Sequence, residues 1–263
     1  MPAGTDPKVL VMLRAYFDAS YTQPHKTLVV ITGCLAQASQ WSSFEPLWQE
    51  MLDGEGLPYF HMADFESYKE DYKEWDAKRH KSVLKKVIEM IIGTVEFAVS
   101  RAIVVEDFEW AQSRNSHLQG HNAFSFCVIQ CLQEIAAWTD QFKIVEPIGY
   151  VFESGDREGP EIENIRKRIS SSKYFRRRFR WNGLSVVNKL EPDVEFPIIP
   201  LQVADVLAFE HRKEIENFYL HGTEDYPRRW PLNVLLEGIE KTSFGRFTRN
   251  ELLDVEVHEE ISH

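Results

Sequence analysis

The sequence predicts a mixed α/β sheet covered by helices, and three observations carry that expectation. Strand-like apolar runs alternate with helical repeats, in the order two strands, helix, strand, helix, strand, helix, strand, helix. The chain opens on two such runs, Leu10–Ser20 and Thr27–Leu35, joined by a short connection containing Pro24, which is the pattern of a hairpin. No internal repeat or low-complexity linker interrupts the alternation.

Each element has its own signal. Trp41–Leu52 carries apolar residues at 41, 44, 47, 48, 51 and 52, a helical spacing stopped by Asp53-Gly54. Leu57–Phe65 reads as a short extended piece, and 66–76 as an exposed loop or ragged helix. Ala77–Ile92 is a basic amphipathic helix closed near Gly93, and Val95–Val105 alternates as a strand. His121–Thr139 is apolar on most faces, hence a buried helix. Lys143–Glu153 is a strand broken by Pro147, and Pro160 starts a helix to about Ser171. Leu184–Leu190 is strand-like, Ile198–Leu220 is a long helix and Leu232–Lys241 a shorter one. The expected division is a domain over 8–220 and a helical C-terminal extension with an acidic tail over 221–263.

Composition narrows the class. With 263 residues, 43% hydrophobic and 27% charged, the chain can bury a substantial core. A net charge of −11 disfavours indiscriminate adhesion to nucleic acid or anionic membrane, while allowing a local basic groove. Cys34, Cys127 and Cys131 form no metal-spacing motif, and so low and odd a count fits a reducing compartment. The first residues lack a signal-peptide pattern, and no apolar run approaches the roughly 18 residues of a membrane span. The expectation is a soluble cytoplasmic protein that needs no membrane. No Gly-x-x-x-x-Gly-Lys or Gly-x-Gly-x-x-Gly motif occurs, so no nucleotide cofactor is expected.

Three acids stand in apolar frames: Asp18 in Phe17-Asp18-Ala19-Ser20, Glu153 in Tyr150-Val-Phe-Glu153, and Asp205 in Leu201-Gln-Val-Ala-Asp205. A buried carboxylate needs a solvated rim, a hydrogen-bonding partner or a metal. The expectation is that Asp18, Glu153 and Asp205 converge on Mg²⁺ or Mn²⁺. Such ions favour a few carboxylates with several waters, and with them a phosphodiester can be cleaved by in-line attack of water. An isolated acid at a strand end is more often a turn former or a helix cap.

These segments resemble the bacterial and phage family called domain of unknown function 3800, for which a ribonuclease-H-like fold is expected. The resemblance rests on Phe17-Asp18-Ala19-Ser20, on Val151-Phe152-Glu153 and especially on Leu201-Gln202-Val203-Ala204-Asp205-Val206-Leu207-Ala208. Tyr59-Phe60-His61-Met62 is similar to that family's short His-containing segment. The likeness spans roughly Leu10 to Leu220. It implies a metal-dependent nuclease with Asp18, Glu153 and Asp205 at the site; His61 is a catalytic candidate that orients water or a phosphate, or else a buried, hydrogen-bonded histidine beside Tyr59 and Phe60. The family usually reads Asp-Glu-Ser-Gly where this chain reads Asp18-Ala19-Ser20-Tyr21, so Ala19 replaces an acid.

Secondary candidates are weighed beside these. Asp156 is a further acid or part of a turn, Glu210 a solvated helix position, and Gln202 a partner of a ligand carboxylate or a tie between helix and sheet. His117 and His121 are four apart without a third zinc ligand. Lys173, Arg176, Arg177, Arg178 and Arg180, interleaved with Tyr174, Phe175, Phe179 and Trp181, form the one dense cationic run. They are the candidate contacts to RNA or DNA, the alternative being an amphipathic strand whose arginines pair with surface acids. Arg228-Arg229-Trp230 is a smaller instance. Two other functions compete with a nuclease: a non-catalytic nucleic-acid- or protein-binding module, in phage defence for example, and a hydrolase of small phosphoesters.

Overall fold

Two antiparallel and three parallel pairings join six strands into one sheet in the order β5-β4-β1-β2-β3-β6. The computed structural model describes residues 12–22, 27–154, 158–188, 198–221 and 227–255. In chain order these form β1 (Leu13–Tyr21), β2 (Leu28–Gln37), α1 (Ala38–Glu55), α2 (Met62–Glu66), α3 (Ala77–Ile92), β3 (Phe97–Val104), α4 (Val105–Gln112) and α5 (Ala123–Gln141). Then follow β4 (Ile148–Ser154), α6 (Gly159–Ser171), α7 (Lys173–Arg178), β5 (Trp181–Asn188), α8 (Ile199–His221), α9 (Trp230–Gly238), β6 (Lys241–Phe247) and α10 (Arg249–Leu253). Local chemistry sets several boundaries. Asp76 caps α3 by accepting the Arg79 N–H at 2.7 Å, and Asn122 and Ser125 form a capping box on α5.

The two-residue period of the strands divides the core. Leu13, Ala15 and Phe17 of β1, Ile31 of β2, Val99 of β3 and Phe152 of β4 face α5 and α6. Tyr16, Cys34, Ala36 and Ala98 face the other way, into a core shared with α1, α3, α8 and α9. On the α5 side Phe17 stacks on Phe152 at 4.4 Å between ring centroids. Its ring also covers Gly33, where a Cβ would lie 2.4 Å from it.

Four expectations are corrected. The C-terminal segment is not purely helical, because Lys241–Phe247 pairs in parallel with β3 and extends the sheet. Its polar sequence hides a strand, whose Ser243 carbonyl accepts from the Arg101 guanidinium at 2.7 Å. The basic run is a helix, α7, rather than an amphipathic strand, with Phe175 and Phe179 one turn apart on its inner side. The piece expected to be extended as far as Phe65 turns into α2 at Met62. Glu210 is not solvated: it is fully buried and held by Arg229 at 3.0 Å, while the same guanidinium reaches Glu66 on α2 at 2.8 Å. Burial raises the Glu210 carboxyl against the lowering pull of that guanidinium.

Candidate functional site

Asp18 and Glu153 come together. Phe17 pairs with Phe152 in the parallel β1–β4 ladder, so the next residue on each strand stands beside the other at the carboxyl end. Asp18 lies on the side of β1 that Tyr16 occupies, and Glu153 on the side of β4 that Val151 occupies; both sides face the core that includes α8. Adjacent strands are about 4.8 Å apart, so two carboxylates share one patch of that face. Both side chains are half-buried. Asp18 Oδ1 accepts the Ala19 N–H at 2.7 Å. Burial, then Glu158, then the negative charge of Asp18 push the Tyr21 hydroxyl far above its usual range.

Asp205 lies over the same strand. Its helix, α8, crosses β1 with Pro200 near Cys34 and with Arg212 Nε donating to Ser20 Oγ at 2.9 Å. Asp205 precedes Arg212 by seven residues, two helical turns, so both sit on the side of α8 that reaches β1. Its Oδ2, however, accepts the Met62 N–H at 2.7 Å, and the residue is only 9% exposed. Gln202, one turn earlier, does a parallel job: its Oε1 accepts the Phe60 N–H at 2.7 Å and the Trp48 indole N–H at 3.0 Å. These two side chains bind the 60–62 segment to α8. Gln202 Nε2 is buried and has no hydrogen-bond partner among the described residues.

That clamp places His61, whose Nδ1 lies 2.5 Å from Asp64 Oδ2. A carboxylate on Nδ1 fixes the ring's orientation. Asp64 is a participant that sequence reasoning missed; its spacing of three from His61 at the start of a short helix was the available signal. Also missed was a polar row beneath α8. Thr32, the cross-strand partner of Asp18, lies 2.6 Å from Ser100 Oγ, which lies 2.7 Å from His211 Nδ1 on α8. His211 is lowered to about 3, chiefly by burial and then by the charges of Arg101 and Arg228, so it is neutral.

The basic run lies elsewhere. The carbonyl of Arg180 accepts the Ile148 N–H at 2.8 Å, at the amino end of β4. Glu153 is five residues further, roughly 17 Å along the strand. Arg178 and Arg180 both bind Asp140, Arg180 at 2.8 Å, whereas Lys173, Arg176 and Arg177 are exposed and form no ion pair with a described residue. Arg228 and Arg229 are bound to Glu214 and to Glu210 with Glu66. Asp156 lies outside the described residues. No group of three or more His, Cys, Asp or Glu side chains close enough to hold a metal occurs among the described residues. Among the described residues the three acids expected to converge on one ion form no such group: the strand register brings Asp18 and Glu153 to one patch, while Asp205 is committed through Oδ2 to the Met62 amide.

No family model matches the chain, and no curated protein matches it. Among solved structures it is similar to the ribonuclease H2 from Pyrococcus horikoshii OT3, at 14% identity and a TM-score of 0.35 over 86% of each chain. It is also similar to Bst-RNase HIII in complex with Mn²⁺, at 11% identity and a TM-score of 0.39 over 80% of this chain and 56% of that one. The fold class is the expected α/β one, a mixed sheet flanked by helices. Likenesses this slight say nothing about activity. No helix among the described residues is long and apolar enough to cross a membrane.

Proposed function

We propose that this chain is a nuclease that hydrolyses phosphodiester bonds of nucleic acid with Mg²⁺ or Mn²⁺ held at Asp18 and Glu153. The observation that carries the reading is the register that sets these two acids side by side at the carboxyl ends of parallel strands. Two hard carboxylates fit such an ion, which keeps its remaining positions for waters and substrate phosphate oxygens. Bound there, the ion would activate water and offset charge on the phosphate. Asp205 holds the 60–62 segment through the Met62 amide and keeps Oδ1 for the site. Asp64 orients His61, a candidate general acid or base, next to the Met62 amide that Asp205 holds.

One observation favours a second reading, a module that binds nucleic acid without cutting it: Asp205 Oδ2 serves the backbone, and Ala19 supplies no further acid. Cleavage of labelled RNA and DNA oligonucleotides in Mg²⁺ and in Mn²⁺ separates the two. The nuclease reading expects metal-dependent cleavage that Asp18→Asn lowers about a thousand-fold, equivalent to ~4 kcal/mol of barrier. Cleavage undiminished in a folded Asp18→Asn variant overturns it, and binding without any cleavage favours the module.

A further inference from the structure

We infer that a second nucleic-acid site, specific for single strands, lies on the opposite face of the sheet, where α5, α6 and α7 enclose a cavity beside the unpaired cations of α7. Its evidence is independent of the metal chemistry.

The first observation is charge. In a protein of net charge −11, cations normally find acids, and Arg178 and Arg180 do. Lys173, Arg176, Arg177 and Arg168 form no ion pair with any described residue, and Arg168 lies 5.9 Å from the centroid of the Phe175 ring. Four uncompensated cations on two consecutive helices make a local positive field in an acidic molecule, a feature suited to a polyanion. Asp140, by gripping Arg178 and Arg180, fixes α7 while its remaining cations point to solvent.

The second observation is shape. A cavity of about 210 Å³ opens between the helices, floored by Ile129, Ile165 and Ile169 and walled by Phe175 and Phe179. That is below the volume of a drug-sized ligand site, and suits a flat ring of nucleobase size. Gln133 and Asn164 face it from opposite helices, and neither amide bonds another described residue. Such amides pair with the donor and acceptor edges of an unpaired base, and a half-buried phenyl ring offers it a stacking surface. The polarity of the cavity orients the occupant. Glu161 lines one end and Arg168 the other, two helical turns apart on α6. A carboxylate repels phosphate and accepts from an exocyclic amine, so the base edge turns toward Glu161 and the backbone toward Arg168 and α7. A duplex cannot use this site, because its bases are stacked inside it.

The test is fluorescence anisotropy with a short labelled single-stranded oligonucleotide in EDTA, where metal chemistry is silent. Four contacts predict that log affinity falls with log salt at a slope near about −2.8. Arg176→Ala with Arg177→Ala, both on exposed positions, is expected to weaken binding about ten-fold and to bring the slope to about −1.4. Asn164→Ala is expected to narrow the preference for the single strand over its duplex. Undiminished binding by the double arginine variant, or equal affinity for duplex, overturns the site without touching the proposal for Asp18 and Glu153. Binding intact with no cleavage in any metal condemns the nuclease reading and leaves this one standing.

Discussion

The two faces of the sheet are made by alternate residues of the same strands, yet they obey different rules. Toward α5 the central row is Phe152, Phe17, Gly33 and Val99, a packed and largely aromatic surface. One residue further along β4 and β1, and one back along β2, the row toward α8 is Glu153, Asp18 and Thr32, continued by Ser100 on β3. A core can tolerate such a polar row only if its members bond one another or reach solvent. Thr32, Ser100 and His211 take the first course, and the acids at the end of the row are half-buried. The contrast teaches that at this level of the sheet one face is sealed by apolar packing, while the other, apolar elsewhere, admits a polar row that ends in two half-buried acids.

That difference has measurable edges. The largest is in pH dependence. His211 is neutral in the folded protein down to about 3, whereas the unfolded chain takes up its proton near the ordinary value of 6.5. Between those values the unfolded state binds more protons. The stability due to this group is therefore complete above pH 6.5 and lost as the pH falls, by about 1.4 kcal/mol per unit. Urea unfolding at pH 7 and at pH 4.5 is expected to show a fall about 2 to 3 kcal/mol steeper for the native chain than for His211→Gln. Parallel pH profiles would remove the polar row's special standing. A smaller effect, on the apolar face, is Gly33→Ala. The new Cβ meets the Phe17 ring, itself locked against Phe152, and overpacking of that kind costs about 2 kcal/mol. Its cost should not vary between those two pH values. A pH-dependent cost would mean the two faces are coupled rather than separate.

Much of the architecture was legible because hydrophobic periodicity is a local property. The hairpin, the α3 span and the long α8 follow from spacing alone, and each framed acid announced itself by interrupting an apolar run. What spacing cannot convey is register. Asp18 is brought to the same patch of sheet as Glu153 only because β1 and β4 run parallel with Phe17 opposite Phe152, a pairing between residues 135 apart in the chain. The strand Lys241–Phe247 was hidden for a similar reason: its small and polar residues serve Arg101, which reaches the Ser243 carbonyl at 2.7 Å and Glu134 at 2.6 Å. Arginine-rich α7 was misjudged because charge density drew attention away from the helical interval between Phe175 and Phe179. Glu210 was misjudged because its partner, Arg229, is nineteen residues away across the segment before α9.

The account turns on whether the carboxylate pair attracts a divalent ion. Two carboxylates side by side repel one another, and a cation relieves that repulsion. Calorimetric titration of the folded protein with Mn²⁺ measures this without any substrate. Saturable binding that either Asp18→Asn or Glu153→Gln abolishes is the predicted result. No binding by the native chain, or binding that both variants retain, would contradict it.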